Sequence, residues 1–120
     1  MIFDTNVLIY LSKNVLSLDK ILTYNASISV ITKIEALGFS FSKVEEHRLL
    51  RDICNELEIV PLTDLIAIET IRLRSKNKIK LPDAIIYATA LVLDEPFYTN
   101  NIADFKSLGS KVELINPFNL

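Results

Sequence analysis

Four acids recur along the chain in places that could bring them together. They are Asp4 after a short apolar start, Glu35 five residues beyond Val30, Asp83 behind a helix-starting proline, and Asp104 five residues beyond Thr99. Converging carboxylates repel one another strongly, and such a cluster is tolerable only with protonation or a cation. The single histidine, His47, and the single cysteine, Cys54, provide no nitrogen or sulfur set to share a metal. Oxygen-only ligands select a hard ion such as magnesium or manganese. Near Asp83 lies a basic stretch, Arg72, Arg74, Lys76, Lys78 and Lys80, with no acid inside it. Carboxylate-bound magnesium beside a basic ribbon suggests phosphodiester chemistry. With His47 alone there is no serine–histidine pair to supply a nucleophile, which leaves metal-activated water.

Each acid also has an ordinary explanation. Asp4 can cap a first helix and complement its dipole. Glu35 is the third residue of a capping box, Thr32-x-x-Glu35. Asp83 follows Pro82, where an acid is favoured without any function, and Asp104 lies three residues after Asn101, like a reciprocal cap. Glu45, in Ser42-x-x-Glu45, repeats the pattern of Glu35 and is assigned no chemistry.

The elements that must position these acids alternate. Met1 to Phe3 reads as a strand and Thr5 onward as a helix, with a second short helical pattern at Leu16 to Tyr24. Ala26 to Val30 reads as a strand, Thr32 as a helix start, and Val44 to Leu57 as a long helix. Glu58 to Pro61 is a strand candidate, and Thr63 caps a helix whose apolar face is Leu65, Ile66, Ile68, Ile71 and Leu73. Pro82 suits the first position of a helix running to about Leu93. Phe97 to Thr99 and Val112 to Ile115 are strands, with a short helix at Ile102 to Leu108 between them. Strands alternating with helices predict a three-layer α/β fold around a mostly parallel sheet. In an open parallel sheet ligands bind at the carboxyl ends of the strands, where Asp4, Glu35 and Asp104 would all lie.

Composition narrows the field. The chain has 120 residues, 50% hydrophobic and 23% charged, as expected for one folded domain spanning 1–120. Its two glycines exclude a glycine-rich phosphate loop and the dinucleotide fingerprint. One cysteine suits a reducing compartment. No basic leader is visible, and the longest apolar stretch, Ala84 to Leu93, is about half a membrane span, so a cytoplasmic location is expected. The net charge of −2 hides an asymmetry, because outside the basic stretch eight cations face fifteen acids. That stretch could track an RNA backbone, or it could be a solvated helix end. His47 reads as a surface residue, Cys54 as core, and the tyrosines and phenylalanines as core more than base-stacking platforms. Leu65, Ile68 and Ile71 read as core, with any surplus available for a dimer face.

Four ordered segments carry a family resemblance. Phe3-Asp4-Thr5-Asn6-Val7-Leu8-Ile9-Tyr10, Ser29-Val30-Ile31-Thr32-Lys33-Ile34-Glu35-Ala36-Leu37-Gly38, Leu81-Pro82-Asp83-Ala84-Ile85-Ile86-Tyr87-Ala88-Thr89-Ala90 and Tyr98-Thr99-Asn100-Asn101-Ile102-Ala103-Asp104-Phe105 resemble, in order, the motifs of PIN-domain ribonucleases, especially the VapC-like toxins of toxin–antitoxin pairs. The resemblance implies a central parallel sheet flanked by helices and a magnesium- or manganese-dependent endoribonuclease. It places Asp4, Glu35, Asp83 and Asp104 at the acidic, metal-binding positions, with Asn6, Thr99 and Asn101 as supporting polar groups. It also implies a small antitoxin partner that covers the acidic site, and a homodimer. Asn100 departs from the family, which often has a basic residue there. Two other readings stay open: an aspartyl phosphotransferase with Asp4 as nucleophile, although Asn6 stands where that chemistry usually has a second acid, and an inactive module that binds RNA or a partner without cutting.

Overall fold

The computed structural model describes residues 1–17, 19, 25–40 and 43–120. Five strands, β1 (Ile2–Phe3), β2 (Ser27–Ser29), β3 (Glu58–Val60), β4 (Phe97–Tyr98) and β5 (Leu114–Ile115), form one sheet in the order β3-β2-β1-β4-β5. Every neighbouring pair is parallel, so the sheet is fully rather than mostly parallel. Six α-helices flank it among the described residues: α1 (Thr5–Ser12), α2 (Val30–Leu37), α3 (Val44–Glu56), α4 (Asp64–Lys76), α5 (Leu81–Leu93) and α6 (Ile102–Lys106).

The alternation of strand side chains divides the core in two. Phe3, Ile28 and Tyr98 pack with Val7, Leu8, Ala36, Leu50 and Ile53 from α1, α2 and α3. Their strand neighbours Ile2, Val60 and Phe97 turn to the other face and pack with Ile66, Leu73, Ile86, Tyr87 and Phe105 from α4, α5 and α6. The strands are so short that each contributes only one or two residues per face, and the layers depend on the helices that cover them. Tyr87, Phe97 and Phe105 form a ring cluster, with Tyr87 and Phe105 stacked at 5.9 Å and Phe97 edge-on to Phe105 at 4.9 Å. Cys54 is buried, as expected.

Several expected boundaries move for identifiable reasons. The strand expected at Ala26 to Val30 ends at Ser29, whose hydroxyl accepts the Ile31 amide and caps α2. The helix therefore starts at Val30, two residues before Thr32, and the Thr32-x-x-Glu35 capping box does not form. Thr32 is instead fully buried within α2. Thr63 caps α4 as expected, its hydroxyl accepting the Ile66 amide. Leu65, Ile68 and Ile71 are not core: they are 65%, 60% and 69% exposed. α4 packs on its neighbour through Ile66, Thr70 and Leu73, which repeat at the helical period and turn the other three outward. His47 is half-buried rather than free at the surface, and its Nε2 lies 3.2 Å from the Leu37 carbonyl. The helical pattern from Leu16 to Tyr24 and the Ser42 cap fall largely or wholly outside the described residues. Among the described residues no helix is long and apolar enough to cross a membrane.

Candidate active site at the carboxyl ends of the strands

The chain runs from β1 to β2 on one side of the sheet and later inserts β4 on the other side of β1, so the strand order reverses at β1. In open parallel sheets the crevice outside the carboxyl ends at such a reversal is where ligands bind. A cleft of about 770 Å³ opens there, lined among others by Asp4, Glu35, Asp83 and Asp104. Asp4 leaves β1, Glu35 sits on α2 after β2, and Asp104 sits on α6 after β4. Asp83 comes from the first turn of α5.

Asp4 is the anchor. It is the N-cap of α1, and its Oδ1 accepts the Thr5 amide at 2.8 Å. Its Oδ2 accepts the Thr99 hydroxyl at 2.8 Å, a bond between residues 95 apart in sequence that ties β1 to the end of β4. The Thr99 oxygen in turn accepts the Asn101 amide at 3.0 Å. The capping explanation thus holds for Asp4, and the same carboxylate lines the cleft. With both oxygens engaged and only 6% exposed, Asp4 is poorly disposed to attack a phosphorus, which counts against the phosphotransferase reading.

Glu35 is not a capping residue. Its carboxylate accepts the Thr5 hydroxyl at 2.8 Å, and that hydroxyl lies 3.4 Å from the Thr32 hydroxyl. Thr5 thus links the first two acids, its amide bonded to Asp4 and its side chain to Glu35. The sequence reading gave Thr5 no role beyond starting a helix. The available signal was its place in Asp4-Thr5-Asn6, where a hydroxyl one residue after the first acid faces the same cleft. Asp104 accepts the Asn101 side-chain amide at 2.7 Å, so Asn101 supports an acid instead of capping α6. Asn6 lines the same cleft. Asn100 is exposed and donates to the Tyr10 hydroxyl at 3.3 Å.

The electrostatics show mutual repulsion. Burial pushes the Asp4 carboxyl above its ordinary value, and the charges of Asp83 and Glu35 push it further, against the hydrogen bonds from Thr99 and Thr5. Asp83 is also raised, by burial first and then by Glu35 and Asp104, with Lys80 opposing. Among the described residues no three His, Cys, Asp or Glu side chains stand close enough to form a closed metal shell. Magnesium, however, is commonly held by one or two carboxylates with water completing its sphere. Desolvated, mutually repelling carboxylates with no nitrogen or sulfur donor fit such a hydrated hard cation.

The basic stretch divides. Lys78 and Lys80 line the acidic cleft. Arg74, Lys76 and Arg72 do not. The Arg72 guanidinium is paired with Glu69 at 2.8 Å on the exposed side of α4, and Arg74 donates to the Ile79 carbonyl at 3.3 Å.

Comparison with known proteins agrees with this architecture. A toxin–antitoxin complex from Klebsiella pneumoniae contains a chain 28% identical to this one, with a TM-score of 0.75 and coverage of 97% of this chain and 96% of that one. The VapBC2 structure from Rickettsia felis, bound to a promoter DNA fragment, matches at 24% identity and a TM-score of 0.77, covering 97% and 98%. DNA-bound VapBC from Salmonella typhimurium matches at 20% identity and a TM-score of 0.83, covering 97% and 96%. These last two likenesses establish the fold. No curated protein sequence shows a significant match. The PIN domain family matches residues 1–110, the span that holds all four motifs, and the chain belongs to that family.

Proposed function

We propose that this protein is a magnesium-dependent endoribonuclease, with manganese as a substitute, acting as the toxin of a toxin–antitoxin pair. One observation carries the reading. Four acids from four separated segments line a single cleft at the sheet reversal, and there Asp4 and Asp83 feel their neighbours' charge as repulsion. Asp4 and Asp83 would hold the ion, with Glu35 and Asp104 reaching it directly or through water. When bound, the metal lowers the pKa of a water molecule and offsets charge on the phosphate. The chain's own residues do the rest. Thr99 and the Thr5 amide fix Asp4, the Thr5 hydroxyl fixes Glu35, and Asn101 fixes Asp104. Lys78 and Lys80 attract the RNA backbone to an otherwise negative cleft.

The same reading supplies the partners. An antitoxin would cover this cleft. A second copy would bury Leu62, Leu65, Ile68 and Ile71, four exposed apolar side chains on α4 and its approach. The protein would act as a single domain in the cytoplasm, where RNA is found.

The test is cleavage of RNA by the purified chain, with and without magnesium. Asp4→Asn and Asp83→Asn are each expected to lower the rate by at least about 100-fold, the order seen when groups acting in the transition state are lost. Chelation should abolish cleavage, and manganese should restore it. Undiminished cleavage by both variants would refute the proposal.

A further inference from the structure

Two of the four acids are fixed from one short turn, Thr99-Asn100-Asn101. Thr99 gives its hydroxyl to Asp4 at 2.8 Å, and Asn101 gives its side-chain amide to Asp104 at 2.7 Å. Asn101 stands at the cap of α6 but makes no side-chain capping bond there, so the helix does not lock the turn in the usual way. The middle residue, Asn100, reaches instead to α1, where its side-chain amide donates to the Tyr10 hydroxyl at 3.3 Å.

The rest of the support comes from the C-terminal segment. The Thr99 amide donates to the carbonyl of Ile115, at the end of β5, at 2.9 Å. Directly after it, Asn116 caps a turn of 3-10 helix over Pro117–Asn119, its side chain accepting the Phe118 amide at 3.0 Å. Pro117 is buried and roots this turn. The Phe118 ring stands edge-on to Tyr10, with 5.2 Å between centroids. The contacts close a circuit, from Thr99 through Ile115, Phe118 and Tyr10 back to Asn100. Tyr10 is half-buried and lies one helical turn beyond Asn6, a residue that lines the cleft.

We propose that Tyr10 and Phe118 are positioning residues for the acidic site. With Asn100 they hold the turn at 99–101 in the conformation in which Thr99 meets Asp4 and Asn101 meets Asp104. For its consequence on turnover this rests on the ribonuclease reading above. Outer partners set the orientation of metal-binding carboxylates, and a small displacement of such groups is felt in both metal affinity and rate. The Asn100 bond is exposed and weak by itself. Closure gives it weight, because a three-residue turn tethered to β5 and to α1 has few other conformations to visit. The edge-to-face pair fixes where the Tyr10 hydroxyl sits.

The experiment has a metal-free arm and a metal arm. The Asn101 amide donates to the Thr99 hydroxyl oxygen at 3.0 Å, so its hydrogen exchange, followed by NMR without metal or RNA, reports the turn. Tyr10→Phe keeps the ring and removes the hydroxyl. Tyr10→Phe and Asn100→Ala should each speed this exchange about threefold, toward the lower end of what one hydrogen bond contributes, and the double variant no more than either alone. Phe118→Ala should act in the same direction. The Ile2 amide, bonded to the Pro96 carbonyl in the sheet, should be unmoved. In titration calorimetry the same variants should raise the magnesium concentration for half-saturation by about threefold, and in cleavage they should lower kcat with KM little changed. Parental Asn101 exchange in Tyr10→Phe, an equal acceleration at Ile2, or a double variant whose effect is the product of the singles would overturn the proposal. So would a raised KM at parental kcat and parental magnesium affinity, the mark of a direct contact with RNA. If Asp4→Asn and Asp83→Asn still cleave RNA, the ribonuclease reading fails on its own, and the exchange arm still decides whether these residues hold the turn.

Discussion

Replacing Thr99 by valine removes one hydroxyl and almost no volume, so its effect isolates the Asp4 bond. Thr99 is fully buried, Asp4 is nearly so, and the bond between them is 2.8 Å. A hydrogen bond to a charged group contributes about 1.5–3 kcal/mol, and burial places this one toward the top of the range. The Asn101 amide also loses its acceptor, but Asn101 is exposed and water can replace that bond. Thr99→Val should therefore cost about 2–3 kcal/mol in urea unfolding at neutral pH, and Thr99→Ser, which keeps the hydroxyl, less than about 1 kcal/mol. The sign of the pH dependence follows from Asp4. The Thr99 bond lowers the Asp4 pKa against the larger raising effect of burial. Removing the bond lifts the folded-state pKa further above the unfolded value. The added penalty is complete above both folded values and vanishes as acid protonates Asp4 in both proteins. The cost should thus shrink as pH falls toward the ordinary carboxylate value of 3.8. A cost below about 0.5 kcal/mol at neutral pH, or one equal at acid and neutral pH, would refute the assignment of this bond.

The same repulsion makes Asp83→Asn stabilising without metal. The folded Asp83 pKa is raised by burial, Glu35 and Asp104, so its ionisation penalty builds as pH rises from 3.8 through the folded value. Melting temperature should increase at pH 7 and match the parent in strong acid, while cleavage is lost; a lower melting temperature at pH 7 would contradict the repulsion. Magnesium should raise the melting temperature of the parent more than that of Asp83→Asn, read by calorimetry with and without chelator. Thr5→Val should raise the magnesium concentration for half-maximal binding by about fivefold in titration calorimetry, the loss of about 1 kcal/mol for a solvent-exposed bond to Glu35, with Thr5→Ser near normal. Ile68→Asp should shift the protein to a monomer in sedimentation at micromolar concentration without lowering its melting temperature, because Ile68 is 60% exposed; an unchanged sedimentation coefficient would exclude the α4 face as the contact.

The layer order was legible because hydrophobic runs and turn residues alternate cleanly, and the pairing of Ile2 with Phe97 and Phe3 with Tyr98 follows once β1 is central. Asp4, Glu35 and Asp104 stood out because each follows a strand within a few residues, and Asp83 because it opens a helix behind Pro82. Two features were not legible, for separate reasons. Ser29 and Thr32 are both competent caps for the same helix, and only the buried position of Thr32 decides between them. The α4 pattern Leu65, Ile66, Ile68, Ile71, Leu73 holds more apolar residues than one helix face can bury, so periodicity alone could not say which would face inward. The division of the basic stretch was hidden for a third reason. Which cations reach the cleft depends on where α4 ends at Lys76 and the chain turns back toward Asp83.

The bond from Thr99 to Asp4 joins residues 95 apart in sequence, from the end of β4 to the end of β1. On the ribosome, Asp4 emerges 95 residues ahead of Thr99, and this bond to its carboxylate must wait for the end of β4. A nascent chain therefore carries Asp4 and Glu35 unassembled until β4 has been made, and only then can the cleft take shape.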